Sequence, residues 1–172
     1  MSELADIQRR LRQLEDERDI GSIVASYGPL VDAGEAERAA GLWAMDGTYD
    51  VGDWLMNGRD DVAAMVRSDA HQGLIAQGCC HFFGPPVVTV DGDDAVAICQ
   101  SILLVRRESG GHAVARAGVH LLRLRREGGN WLIVSRTARL LDGAAESRAL
   151  IHNAFPGSNH SEDSEAGDRS GD

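Results

Sequence analysis

Lysine is absent from this sequence, so all 17 basic residues are arginines, and 27 aspartates and glutamates outnumber them. The formal net charge of -10 argues against a nucleic-acid-binding protein, because phosphate contacts need a basic face. It also argues against binding to an anionic membrane surface. No apolar run approaches the ~20 residues of a membrane-spanning helix, and the polar N-terminus contains no signal-peptide core.

Cysteine is scarce, and the three present, Cys79, Cys80 and Cys99, form an odd set with an adjacent pair. Such a set is a poor disulfide framework, so we expect a reducing, cytoplasmic location. Adjacent cysteines cannot easily bind one zinc ion, and no CxxC or HxxxH pair follows. Glycine-rich nucleotide loops and the GxSxG elbow are also absent. We therefore expect neither a metal nor a cofactor.

Helical periodicity dominates the first part of the chain. Apolar residues recur from position 4 to position 31, which predicts one long helix or two stacked helices. A short helix is predicted over 35–45, a hairpin over 48–56 and a further helix over 61–67. The first apolar residues form a stripe that either contacts a neighbouring subunit or caps the sheet: Leu4, Ile7, Leu11 and Leu14.

Strand patterns dominate the second part. They are separated by tight glycine-rich turns and cover residues 87–90, 95–106, 112–126 and 131–141. This predicts an antiparallel meander whose strands exceed the usual ~5 to 6 residues, so the sheet must coil strongly. Helices across its open side would enclose a conical cavity, giving an α+β domain with a small-molecule pocket.

The domain limits follow from the same patterns. A last helix is predicted over 144–155, so residues 1–155 are predicted to form a single domain. Residues 156–172 contain five acidic residues against one arginine and nothing apolar beyond alanine, so we expect a disordered acidic tail.

Three stretches together carry a family resemblance: LEDERDIGSIVASYGPLVDAGE (14–35), GCCHFFGPPVVTVDGDDAVA (78–97) and GGNWLIVSRTARLLDG (128–143). Their order and spacing resemble the NTF2-like superfamily. The similarity is to its SnoaL-like branch, which includes scytalone dehydratase, a hexachlorocyclohexane dehydrochlorinase and a bile-acid dehydratase. The resemblance implies a cone-shaped curved sheet, packed against N-terminal helices, and assembly into dimers or trimers.

The resemblance also implies an Asp-His dyad. In dehydratase-like members, an aspartate at the end of the first helix pairs with a histidine on the first long strand, and Asp32 and His81 match these two positions. His120 matches a pocket asparagine of scytalone dehydratase. Val31 and Val51 stand where that enzyme has two water-holding tyrosines, so this chain must hold its substrate differently.

Such a dyad implies acid–base chemistry in an apolar pocket. His81 would remove a proton from a carbon beside a carbonyl, Asp32 would orient its ring, and His120 would contact the substrate oxygen. The outcome is β-elimination or isomerisation, without a cofactor. We expect Asp32 to raise the pKa of His81 while leaving a neutral fraction near pH 7. Further ligand contacts are predicted for Val51, Trp54, Met65, Phe82 and Leu103.

Alternatives remain open from the residues alone. Asp32 is equally typical of a helix cap, and His81 of a structural histidine. The same cone could serve a binding protein without catalysis, or a structural subunit like the small chain of ring-hydroxylating dioxygenases. The expected partners are a small hydrophobic carbonyl compound and further copies of the chain. We expect His71 at the surface. Arg136 and Arg139 should point to opposite faces of a strand, in solvent or interface ion pairs, with the alternative that one of them reaches the pocket mouth or a subunit contact.

Overall fold

Helix α1 (Glu3–Asp32) organises the fold, because its second half is buried and its first half is not. The structure, a computed structural model, describes residues 2–155. Buried side chains recur along one face of α1 at Ile20, Val24, Tyr27 and Val31, the spacing of an amphipathic helix. Of the two sequence-based alternatives, one continuous helix forms. The predicted acidic tail lies outside the described residues.

The remaining elements follow in chain order. The helices are α2 (Ala36–Ala40), α3 (Arg59–Arg67), α4 (Asp69–Gln77) and α5 (Ala145–Ala154). The strands are β1 (Trp43–Asp50), β2 (Leu55–Asn57), β3 (Cys79–Phe83), β4 (Val87–Asp91), β5 (Asp94–Arg106), β6 (His112–Glu127) and β7 (Asn130–Leu140). In the described part of the chain, no helix combines the length and apolar character needed to cross a membrane.

Within residues 2–155, seven strands form one open sheet in the order β2-β1-β7-β6-β5-β3, with β4 also paired to β5. The sheet is mixed, which corrects the predicted antiparallel sheet, because β1 runs parallel to β7. Tight turns force antiparallel pairing on the meander, but β1 and β7 are distant in the chain and no turn constrains them. Trp43 begins β1, so the helix predicted over 35–45 ends early.

The core lies between α1, α2, α3 and the concave side of the sheet. Its fully buried side chains include Ile20, Trp43, Val62, Val66 and Ile133. Helix α5 packs against the three long strands β5, β6 and β7. The helices therefore close the concave side of a coiled sheet, which is the arrangement that leaves a cavity.

The N-terminal apolar stripe does not cap the sheet of its own chain. Leu4, Ile7, Leu11 and Leu14 are each more than half exposed on the first half of α1. The alternative of a contact with a neighbouring subunit stays a prediction.

A glycine permits the close approach of α1 to β3. A Cβ atom added at Gly28 would lie 2.0 Å from the carbonyl oxygen of His81, far inside van der Waals contact. The helix backbone therefore packs directly against the strand backbone. By contrast, a Cβ atom added at Gly21, on the same helix, would meet nothing within 4 Å.

We predict opposite effects for alanine at these two glycines. Gly28→Ala forces α1 away from β3 and should lower the free energy of unfolding by about 1–3 kcal/mol or more. Gly21→Ala fills open space on a helix and should raise it by about 0.5–1 kcal/mol. Urea unfolding of both variants checks this; a Gly28→Ala protein as stable as the parent would contradict the close packing.

Candidate active site

The end of α1 and the middle of β3 bring Asp32 and His81 together. The imidazole Nδ1 of His81 lies 2.6 Å from Oδ1 of Asp32, and the backbone N–H of His81 donates to Oδ2 at 2.8 Å. The exposed fractions of the two side chains are 21% for Asp32 and 13% for His81. Both carboxylate oxygens are thus used by one residue, which fixes the ring relative to the helix end.

A third donor completes the surroundings of the carboxylate. The thiol of Cys79 donates to Oδ1 of Asp32 at 3.4 Å. Ligand atoms of Asp32, Cys79 and His81 lie within 4.8 Å of one another, as in a metal site. Burial, together with the Asp32 charge, raises the pKa of the Cys79 thiol to about 11, so the thiol keeps its proton and donates it to the carboxylate. We interpret the cluster as a hydrogen-bonded cradle.

The hydrogen bonds assign the tautomer of His81. Nδ1 carries the proton that is donated to Asp32, so Nε2 holds a lone pair, and His81 is one of the residues that line a cavity. The His71 ring stacks on His81 with centroids 5.5 Å apart, and its Nε2 donates to the carbonyl of Val31 at 2.9 Å. His71 is therefore buried, and its predicted surface position is wrong, because α4 turns this side toward α1.

Burial decides the protonation of His81. Desolvation lowers its pKa below the usual value, outweighing Asp32, which raises it; the charges of His71 and Arg116 lower it further. The sequence-based expectation of a raised pKa is wrong, since it counted the carboxylate and not the desolvation. His81 is consequently neutral at pH 7.

The cavity has a volume of about 280 Å³, at the lower end of ligand pockets, which run from roughly 300 Å³ upward. Of the residues predicted to contact a ligand, five line it: Val51, Trp54, Met65, Leu103 and His120. Phe82 does not line it and is 55% exposed. Side chains alternate along β3, so His81 and Phe83 face inward while Phe82 faces outward.

Sequence reasoning missed two tyrosines in the lining, Tyr27 and Tyr49. Tyr27 precedes Val31 by one helical turn, so the two lie on the same face of α1. Tyr49 lies near the end of β1, two positions before Val51, and both line the cavity. Searching one structural period away from those valines would have found both residues.

Ser101, His120 and Arg136 form a chain of hydrogen bonds across the sheet. His120 Nδ1 accepts from Arg136 Nε at 3.3 Å and Nη2 at 3.1 Å. Nδ1 is then the unprotonated nitrogen, so Nε2–H donates to the Ser101 hydroxyl at 2.7 Å. Both ring nitrogens of His120 are occupied, which leaves none for the predicted contact with a substrate oxygen.

Arg136 is 2% exposed and lines the cavity, so its predicted place in a surface or interface ion pair is wrong. Within residues 2–155 no carboxylate pairs with it. Its charge lies instead over aromatic rings, with Cζ 4.1 Å from the centroid of Tyr27, 4.4 Å from Tyr49 and 5.0 Å from Phe83. Ring faces attract cations, which offsets part of the desolvation. Desolvation, then the charge of Arg136, lowers the pKa of His120 well below its ordinary value.

Arg139 lies at the rim of the cavity and does form an ion pair. Its guanidinium donates to both carboxylate oxygens of Asp50 at 3.0 and 2.8 Å, and its Nε is 3.6 Å from Glu146 of α5. The bonds from Arg139 lower the pKa of Asp50. This pair ties β7 to β1 beside the opening.

The sequence and the fold both resemble those of known proteins. The family profile described as SnoaL-like domain matches residues 12–137. No curated protein matches the chain in sequence. An NTF2-like protein with a cystatin-like fold from Novosphingobium aromaticivorans is 40% identical, with a TM-score of 0.84, covering 88% of this chain and 98% of its own. The predicted α+β, NTF2-like cone is confirmed.

More distant structures share the fold alone. A variant of Rv3472, a protein of unknown function from Mycobacterium tuberculosis, is 22% identical with a TM-score of 0.69, covering 81% of this chain and 86% of its own. The beta subunit of a candidate aromatic-ring-hydroxylating dioxygenase from Novosphingobium aromaticivorans is also 22% identical, with a TM-score of 0.62. It covers 76% of this chain and 91% of its own.

We predict that acid destabilises the protein through its buried neutral histidines. The pKa values of His81 and His120 are lowered in the folded state, so the unfolded chain binds more protons below about pH 6.5. This stability is fully present above pH 6.5 and is lost as pH falls. Removing one such group, in His120→Gln, should reduce the slope of the free energy of unfolding against pH by at most about 1.4 kcal/mol per pH unit. Urea unfolding between pH 4.5 and 7.5 measures it.

The matched control for that experiment is His112→Gln, at an exposed histidine in the same strand β6. The free energy of unfolding of this variant should depend on pH as steeply as that of the parent protein. An equal loss of slope in both variants would show that the buried position of His120 does not cause the effect.

Proposed function

The chain belongs to the SnoaL-like domain family, and on that premise we propose that it is a lyase or isomerase acting on a small hydrophobic carbonyl compound. The fold of this family supports small-molecule binding or isomerase/dehydratase-type function. One observation carries the finer proposal: an imidazole, oriented by a carboxylate 2.6 Å away, lines a cavity that is largely apolar and opens to solvent at one side. The proposed chemistry needs no cofactor.

Proton removal is the first step. Nε2 of His81 takes a proton from the carbon beside the substrate carbonyl, and Asp32 stabilises the imidazolium that forms. The lowered pKa of His81 favours this role, because desolvation keeps the ring unprotonated until substrate arrives. General acid–base help of this type contributes roughly 10² to 10⁴-fold to the rate.

The negative charge that develops on the carbonyl oxygen needs a hydrogen-bond donor to stabilise it. The Ser101 hydroxyl accepts from His120, so its own proton is free to point toward a ligand in the cavity that it lines. The positive charge of Arg136 lies directly behind His120 and favours a nearby oxyanion. Ser101 thus takes the oxygen contact first assigned to His120, and His120 holds Ser101.

The enolate then has two balanced fates. In an elimination, the leaving group on the next carbon departs with its electron pair, a carbon–carbon double bond forms, and the imidazolium proton joins the departing hydroxide as water. In an isomerisation, the imidazolium returns its proton to a different carbon of the enolate. Both routes regenerate neutral His81, so no co-reactant is required.

The alternatives have weaker support. The similarity to the candidate dioxygenase beta subunit is at 22% identity and concerns the fold. A structural subunit needs no oriented base in a cavity. A binding protein without catalysis would use the same lining. A measurement of proton exchange distinguishes it from the proposed enzyme.

We predict that the protein exchanges the protons beside the carbonyl of 1-tetralone, a two-ring ketone, with deuterium from the solvent. The first step of either reaction performs this exchange, so no leaving group is needed. His81→Asn and Asp32→Asn should each lower the exchange rate by roughly 10² to 10⁴-fold, because the base or its orienting partner is lost. Mass spectrometry follows the deuterium content.

Cys80→Ser is the matched control, since Cys80 is exposed on the other face of the same strand, β3. It should exchange at the parental rate. Binding of the ketone without any exchange above the solvent rate would contradict the enzyme proposal and favour the binding protein.

We also predict the pH dependence of the exchange rate. The base must be neutral, so the rate rises with pH and levels off, with a midpoint below 6.5 because the pKa of His81 is lowered. In Asp32→Asn the residual rate should show a still lower midpoint, since desolvation is no longer opposed by the carboxylate. A midpoint above 6.5 in the parent protein would contradict a desolvated base.

A further inference from the structure

The charge of the cavity lining is opposite to that of the whole chain. The chain has a net charge of -10, yet the lining contains three arginines, Arg116, Arg136 and Arg139. Among the described residues that line the cavity, none is an aspartate or glutamate. A cavity lined by one sign of charge within apolar walls concentrates ligands of the opposite sign.

Two of these three cations are already engaged. Arg136 donates to His120 and lies against aromatic rings, while Arg139 binds Asp50 through both carboxylate oxygens. Arg116 differs, because its side chain makes no hydrogen bond or ion pair with any residue in the range 2–155. The residue is exposed and also lines the cavity, which places it where the cavity meets solvent.

A β-bulge places Arg116 there. In the β5–β6 pair, Leu103 is opposite Arg116 but Leu104 is opposite Val114, so Ala115 has no partner. Such a bulge re-aims the side chains beside it and is over-represented next to active sites. Leu103 is in turn opposite His81 in the β3–β5 pair, so the three residues form one row across the sheet.

The position of Arg116 is also visible in its electrostatic effect. Desolvation is the main cause of the lowered pKa values of His81 and His120, but the charge of Arg116 contributes to both. Arg116, His81 and Ser101 line the same cavity, so one small ligand in it can contact all three.

We propose that Arg116 binds a carboxylate of the ligand at the mouth of the cavity, so that the substrate is a hydrophobic monoanion whose apolar body points inward. The planar guanidinium matches a carboxylate with two parallel hydrogen bonds. A single unpaired cation neutralises one charge, which favours a carboxylate over a doubly charged phosphate. The cavity of about 280 Å³ suits a compact body of one or two rings. This inference rests on the proposed function for its use of the cavity.

The test compares three two-ring probes on the full chain at pH 7.5: 2-naphthoate, neutral 2-naphthamide and 2-naphthyl phosphate. Calorimetric titration should give a dissociation constant for naphthoate about tenfold below that for the amide. In Arg116→Gln the two should bind equally, because the naphthoate affinity falls. Arg107→Gln removes the same charge from an exposed turn outside the cavity and should keep the tenfold preference.

Several results would overturn the proposal. They are equal affinity of the parent protein for naphthoate and naphthamide, no binding of naphthoate, tighter binding of the phosphate, or an equal loss of preference in Arg107→Gln. The comparison of probes on the parent protein decides the matter even where Arg116→Gln fails to fold.

The proposed lyase or isomerase activity and the proposed carboxylate site at Arg116 can each be overturned without the other. Deuterium exchange into 1-tetralone, which has no carboxylate, without any preference for naphthoate would overturn the assignment of Arg116 alone. A tenfold preference for naphthoate without exchange would support Arg116 and overturn the lyase or isomerase alone.

Discussion

The two hydrogen bonds that His81 donates to the carboxylate of Asp32 are the constraint on which the rest of the site depends. Asp32 accepts both the imidazole N–H and the backbone N–H of His81, at 2.6 and 2.8 Å. The ring cannot rotate without losing the first bond, and α1 cannot slide along β3 without losing the second. Whatever fixes α1 on the sheet, from its buried face to the close approach at Gly28, therefore also fixes the imidazole of His81.

The second feature that organises the site is the buried guanidinium of Arg136, with which no carboxylate within residues 2–155 forms an ion pair. Burying the guanidinium of Arg136 is costly, and ring faces and one histidine offset that cost only in part. Desolvation and then the same charge lower the pKa of His120, and the hydrogen bonds from Arg136 fix the order of protons along the chain that ends at Ser101. Local rules of stability are commonly broken where a site needs it.

Features that depend on local periodicity were predictable, and those that depend on distant pairing were not. Alternation and glycine turns predicted the long strands, and the family resemblance predicted the meeting of Asp32 and His81. The parallel pairing of β1 with β7 could not be predicted, since no turn joins them. Phe83, and not Phe82, shares the inward face with His81, and alternation along β3 from His81 is enough to predict this. The burial of Arg136 depends on rings from three other elements.

Because the backbone contact at Gly28 fixes α1 on β3, one part of the site is constrained while other parts of the cavity lining are free to vary. His81 is held by main-chain packing of α1 on β3, whereas Val51 and Trp54 contribute side chains from the loop after β1 and Met65 contributes one from α3. Substitutions among those three can reshape the space offered to a molecule without moving the imidazole. A scaffold built this way can change what it accommodates at one wall while the Asp32–His81 pair stays in place.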